Sequence, residues 1–227
     1  MENYLNNFWF TYFPHIAFAV FWFGLFTRFI LANNTIQAKS TQLLSNKSVK
    51  WGSNLFHYGI IVVFFGHFTL FLPESIYHLV MSTETKRAIA IIFGSFFGIM
   101  SFIGLIILVI NRTANTRLRI NSGFADYFIL ILLLVETVLG LISVTKTASS
   151  PLDNYTSLGL WAQKVITFQP EAGEMIANHS IMYKVHFITG LLIFMIFPYT
   201  KLMHILVYPL AYFFRSGYQL VRKGKFY

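Results

Sequence analysis

The chain has 227 residues, of which 56% are hydrophobic, 19% aromatic and only 11% charged. Soluble domains carry about 25% charged residues, so this composition excludes an ordinary soluble domain, and it is too apolar for a disordered or collagen-like chain. Cysteine is absent, which excludes disulfides, thiolate catalysis, Cys-ligated zinc and an all-Cys iron–sulfur cluster held by this chain. A metal or cofactor would fall to histidine, of which there are seven.

Five segments are apolar and long enough, at about 20 residues, to cross a bilayer: residues 8–30, 51–72, 88–110, 124–144 and 181–208. They predict an all-α integral membrane protein, a five-transmembrane-helix bundle forming one membrane domain over 1–227 with short loops. The first span does not read as a cleavable signal. Glu2 and no base precede it, and its apolar run exceeds the roughly 7–15 residues of a signal core. His15, beside Pro14, reads as a packed or interfacial histidine. The second span carries His57, Gly66 and His67. Glu74, His78, Glu84 and Lys86 follow it, with His78 read as a surface residue. The third span has Gly94 and Gly98 at a spacing that suits close helix packing, and Arg112 lies at its far end. The fourth opens on Asp126, either a helix-start residue or a partner for a loop base, and holds Glu136 near its middle. His179 precedes the fifth span and reads as a surface residue. That span carries His186, Gly190, Pro198 and His204.

The net charge of +9 reports topology, not nucleic acid. Eleven bases and no acid lie in residues 28–50, in 111–123 and in the tail from 209, among them Arg28, Lys39, Lys47, Lys50, Arg117 and Arg119, then Arg215, Arg222, Lys223 and Lys225. The alternate loops mix Lys86, Arg87, Lys146 and Lys164 with acids. The positive-inside rule then puts the N-terminus outside and the C-terminus in the cytoplasm.

Ionisable residues inside a membrane are costly and usually functional. Four histidines on two antiparallel spans fall into two depth-matched pairs, His57 with His204 and His67 with His186. Two facing imidazoles can clamp an iron porphyrin from both sides, leaving no open position for oxygen chemistry. The fit is imperfect on ideal helices. His57 to His67 rises about 15 Å, whereas His186 to His204 rises about 27 Å. Tilt absorbs part of the difference, and Pro198 can kink the fifth span between its histidines. Gly190, one turn after His186, would leave space for a porphyrin face, and 26 phenylalanines suit a large flat cofactor as well as a lipid-facing surface.

These stretches resemble a known family. Ser53-Asn54-Leu55-Phe56-His57 with Gly59-Ile60, then Gly66-His67, Trp161-Ala162-Gln163, Val165-Ile166-Thr167-Phe168, His204-Ile205 leading to Pro209, and Tyr218-Gln219-Leu220-Val221-Arg222 are similar to the gamma subunit of membrane-bound respiratory nitrate reductase, a di-haem cytochrome b. The resemblance covers nearly the whole chain. It implies two b-type haems, with His67 and His186 as axial ligands of the outer one and His57 and His204 of the cytoplasmic one. It further implies a quinol substrate (menaquinol or ubiquinol) oxidised near the outer face. Electrons would pass to an iron–sulfur beta subunit and a molybdenum alpha subunit in the cytoplasm, so that turnover contributes to the proton-motive force.

Lys86 occupies the position of a lysine that the family places by its quinol pocket, and Glu84 also matches. The alternative for Lys86 is a snorkelling interfacial lysine. Gly66 either lets a quinone ring approach the haem edge or serves helix packing. Arg112 either pairs with haem propionates or is a positive-inside loop charge. Glu136 stands where the family has a neutral amide and reads as a protonated, hydrogen-bonded carboxyl. Competing readings are an equivalent di-haem cytochrome b of another quinone-linked reductase, of the sulfite or heterodisulfide type, a haemless proton-coupled transporter, and a haemless structural anchor.

Overall fold

The computed structural model describes residues 2–31 and 47–206, with side chains from residue 4 onward. The described residues are helical throughout, without strands. Lys39, Arg215, Arg222, Lys223 and Lys225, Pro209, the 218–222 match and the last two residues of the fifth predicted span lie outside them.

Five helices have the length and composition to cross a membrane. The first crossing is composite. α1 (Glu2–Asn7) runs through a π-helical turn at Phe8–Tyr12 into α2 (Phe13–Leu31). The second is α3 (Lys47–Phe68), finished by a 3₁₀ turn at Thr69–Phe71. After a short α4 (Glu74–Tyr77), the third crossing is α5 (Thr83–Ala114), and a single turn, α6 (Thr116–Ile120), separates it from the fourth, α7 (Phe124–Ser149). α8 (Leu152–Ile166) is amphipathic, and α9 (Ile181–Ile196) begins the fifth crossing.

Local chemistry sets these ends. The Ser82 hydroxyl accepts the Thr85 amide at 3.2 Å and starts α5, and Asn115 starts α6 by accepting the Arg117 amide at 3.0 Å. Asp126, three residues into α7, accepts the Gly123 amide at 3.2 Å. At the other end of α7 the carbonyls of Thr147, Ala148 and Ser150 all accept from the Arg87 guanidinium, at 2.6, 3.0 and 2.7 Å. A cation satisfying the last carbonyls also complements the negative end of the helix dipole.

The helices form an arc in the order α3, α5, α7, α9, α2, each packed on the next. The tightest contact is α3 on α5, where a Cβ at Gly59 would lie 2.6 Å from the Phe97 carbonyl oxygen. Gly94 and Gly98 pack α5 against Val144 and Leu141 of α7, as their spacing predicts. Around the arc the middles of the helices present Phe23, Ile92, Phe96 and Ile131 outward, the arrangement expected where lipid is the solvent. The main buried cluster lies at one end, where α8 covers the bundle with Leu158, Trp161, Ala162 and Val165 against Phe10, Ala172, Ile176 and Tyr183.

The fifth crossing corrects the expectation of one kinked helix over 181–208. α9 stops at Ile196 and gives way to 3₁₀ turns at Phe197–Tyr199 and Lys201–Met203, with Thr200 extended between them at φ −114°, ψ 178°. Proline removes the amide that would continue the ladder. The Arg28 guanidinium, from α2, donates to the carbonyls of Pro198 and Thr200 at the break. Gly24, one turn before Arg28, lies under this turn, and a Cβ there would lie 2.7 Å from the Tyr199 hydroxyl and 3.1 Å from the Pro198 Cβ. The residues after Thr200 therefore leave the line of α9, which removes the depth mismatch that an unbroken helix would impose on His204.

Candidate functional site

The four in-span histidines meet in the predicted pairs. The ring centroids of His57 and His204 are 6.1 Å apart and those of His67 and His186 are 6.0 Å apart. The pairs join helices that make little backbone contact, since α3 and α9 are not neighbours in the arc. Phe64 of α3 and Phe194 of α9 meet at 6.3 Å, each placed along its segment between two of these histidines.

Three of the four rings donate from Nδ1 to a backbone carbonyl. His57 Nδ1 donates to the Ser53 carbonyl at 2.7 Å, and His67 Nδ1 to the Val63 carbonyl at 2.7 Å. These are carbonyls one turn back on the same helix. His204 Nδ1 donates to the Lys201 carbonyl in the 3₁₀ turn. His186 Nδ1 lies 3.0 Å from Oε1 of Glu136, at ion-pair distance but out of line for a hydrogen bond. For His57, His67 and His204 the carbonyl behind Nδ1 fixes the tautomer with Nε2 free to ligate, the usual support of a metal-binding imidazole.

The spacing fits one metal between two rings. A metal–nitrogen distance of about 2.0–2.1 Å on each side, with about 1.1 Å from nitrogen to ring centre, separates the centroids by about 6.3 Å. Among the described residues no three His, Asp or Glu side chains cluster to hold a bare ion. Imidazoles in twos are what an iron porphyrin takes, because the macrocycle supplies the other four nitrogens. The residues present therefore fit the group.

His15 stands apart from this set. Its Nδ1 is 2.7 Å from the Thr11 carbonyl and its Nε2 is 2.9 Å from the Val165 carbonyl, and its ring stacks on Phe168 at 4.7 Å. It packs α2 against α8 and has no nitrogen free, in keeping with the structural role expected of it. His78 Nε2 pairs with the Thr83 hydroxyl at 2.9 Å. His179 is half-buried and pairs with Ser157 and Asn154 of α8, so it braces a loop and is not a free surface residue.

Lys86 is buried at the α8 end of the bundle, its Nζ 3.8 Å over the Tyr77 ring. It lines a niche of about 20 Å³ with Leu70, Glu74, Tyr77, Tyr155 and Gln163, room for one water molecule. Tyr77 donates to Glu74 at 3.1 Å, and burial pushes its phenol above the ordinary range. Burial pushes the Tyr155 phenol up to about 12, so it stays a neutral donor, and its hydroxyl has no partner among the described residues. Gly66 does not line this niche, and a Cβ there would meet nothing within 4 Å; it serves no helix contact.

At the opposite end Arg112 faces Asp126 at 3.9 Å, and Asp126 is paired more closely with Lys201 at 2.6 Å. Asp126 thus fills both roles open to it, starting α7 and pairing with a base. Gly190 overturns its expected role, because the space above it is taken by Glu136, whose Oε1 would lie 2.9 Å from a Cβ at 190. Sequence reasoning gave no place to Tyr155, Lys201 or α8. The signal for α8 was available as the stripe Tyr155, Leu158, Ala162, Val165, which is helical in period.

Comparison with known proteins adds to this geometry. A family model described as the nitrate reductase gamma subunit matches residues 6–224. The chain is 34% identical over 228 residues to the respiratory nitrate reductase 2 gamma chain of Escherichia coli K12, covering 99% of this chain and 100% of that one. It is 35% identical to the respiratory nitrate reductase 1 gamma chain of the same organism, covering 97% and 98%. It is 32% identical to the nitrate reductase gamma chain of Bacillus subtilis 168, covering 92% and 95%.

Proposed function

The chain belongs to the nitrate reductase gamma subunit family and is a multi-pass inner-membrane protein, and from that premise we propose that it is the quinol-oxidising di-haem cytochrome b of a respiratory nitrate reductase. His57 and His204 would hold one b-type haem, His67 and His186 the other. When bound, the two haems supply one-electron iron couples that relay electrons across the membrane.

The single observation that carries the reading is the pair of imidazole–imidazole separations, 6.1 and 6.0 Å, with a backbone carbonyl accepting from Nδ1 of His57, His67 and His204. The chain's own residues do the rest. The i−4 carbonyls of Ser53 and Val63 lock the α3 imidazoles, and the turn at Lys201 locks His204. The bases Arg28, Lys47, Lys50, Arg112, Arg117 and Arg119 lie at one end of the bundle, which by the positive-inside rule supports a cytoplasmic side for that end. That basic end is where an iron–sulfur beta subunit, and through it a molybdenum alpha subunit, would dock.

The α8 end then faces outside, beside His67 and His186. There Lys86, backed by Tyr77, would orient a quinol oxygen, and Glu74 beside the same tyrosine would take up a proton on the outer side. Gly66, bare of neighbours one residue from His67, leaves the approach to that pair open.

The reading is tested by a reduced-minus-oxidised spectrum with haem quantification on the purified complex. Two low-spin b-type haems per chain are expected, both extractable by acid because no cysteine is present to attach them. A haemless chain, one haem, or a high-spin five-coordinate signal would contradict it.

A further inference from the structure

The two imidazole pairs are not supported alike. His57, His67 and His204 present Nδ1 to backbone carbonyls. His186 presents it to the side chain of Glu136, 3.0 Å away, and the other carboxyl oxygen of Glu136 has no partner among the described residues. Glu136 lies in the middle of α7, where an acid is costly unless it has a function. The two helices are shaped around this contact. A Cβ at Gly190, four residues after His186 on α9, would press on Oε1 at 2.9 Å, and a Cβ at Gly140, four residues after Glu136 on α7, would sit 3.3 Å from the His186 ring. Residues four apart share a helix face, so Glu136 and Gly140 interlock with His186 and Gly190, each glycine making room for the other helix's functional side chain.

We propose that Glu136 is a positioning residue for the outer haem, accepting the Nδ1–H of His186 once ligation fixes the ring and lowering that haem's reduction potential. The inference rests on the haem assignment made above. In this role Glu136 is a carboxylate, and not the protonated carboxyl that its place in a span suggests; a carboxylate 3.0 Å from Nδ1 of a ligating imidazole raises the basicity of the ligand. A more basic ligand stabilises the oxidised iron over the reduced one and so lowers the potential. Backbone carbonyls, as behind His57 and His204, polarise the imidazole less.

The test is a redox titration of both haems, followed by their spectra, in the purified complex from wild type, Glu136→Gln and Gly190→Ala, with His186→Ala used to identify the outer component. Glu136→Gln keeps an acceptor and drops the charge. It should retain two haems and raise the equilibrium constant for reducing the outer one about tenfold, which is about 59 mV for one electron, leaving the inner one unmoved. Gly190→Ala keeps the charge but pushes the carboxyl off His186. It should shift the same component in the same direction, and it decides the matter if Glu136→Gln fails to assemble. Unchanged potentials in a variant that retains both haems, or a shift confined to the component that survives His186→Ala, would overturn the role of Glu136 and leave the haem assignment standing. Wild-type protein without two haems would overturn the assignment itself.

Discussion

A histidine in a membrane helix becomes a ligand only if something holds its second nitrogen. For His57 and His67 the helix does this by itself, since the carbonyls of Ser53 and Val63 lie one turn back at 2.7 Å. Those two residues were legible in sequence because their partners are built into any helix. His186 was legible as a histidine in a span but not as a partner of Glu136, because that contact crosses from α7 to α9 and depends on two glycines. Gly190 was misread for the same reason: a small residue announces a close approach without saying whose. Lys86 sits between these cases. Its place after the second span was readable, whereas its burial over the Tyr77 ring depends on α4 turning that ring beneath it. If Lys86 orients the quinol, Lys86→Ala should leave both haems in place and slow their reduction by quinol about ten- to hundredfold, the loss of one hydrogen bond to a charged group. Stopped-flow reduction of the haems checks this, and wild-type rates in the variant would return Lys86 to a structural role.

At the scale of elements, hydropathy found every crossing and missed what lies between them. α8 carries a buried face but is too polar along its length to register as a span, although Trp161 stacks on Phe187 at 4.4 Å, next to His186, and Gln163 donates to the Leu72 carbonyl at 3.1 Å. It caps the bundle where His67 and His186 meet. The broken fifth crossing was half legible. Pro198 signals an interruption, but the sequence does not say that the chain would be redirected and then clamped. The clamps come from three distant places: Arg28 on the carbonyls at the break, Gly24 beneath Tyr199, and Asp126 on Lys201 at 2.6 Å. The last bears on the proposed inner haem site, because the carbonyl of Lys201 receives His204 Nδ1. Removing the carboxylate in Asp126→Ala costs about 1.5–3 kcal/mol of anchoring, shared between the Lys201 turn and the start of α7. Haem quantification in that variant should show the inner, His57/His204, component depleted about tenfold or more and the outer one retained. Equal loss of both, or loss of the outer one alone, would mean that the turn is not anchored by this pair.

At the scale of the molecule, an arc of five crossings brings α3 and the fifth crossing face to face at two depths, with basic residues concentrated at the end nearer His57 and His204. Entry at one pair and exit at the other, as proposed, would use opposite ends of the bundle, the end of Lys86 beside His67 and His186 and the basic end beside His57 and His204. The direct test follows haem reduction by quinol and reoxidation by nitrate in intact complexes carrying His67→Ala or His57→Ala. In His67→Ala quinol should fail to reduce the remaining haem at a useful rate, since the entry site is gone. In His57→Ala quinol should still reduce the outer haem, nitrate should not reoxidise it, and a small dye donating directly to the cytoplasmic subunits should still support nitrate reduction in both. Normal reoxidation by nitrate in His57→Ala, or loss of the same haem signal in both variants, would contradict the pairing and the direction of electron flow together.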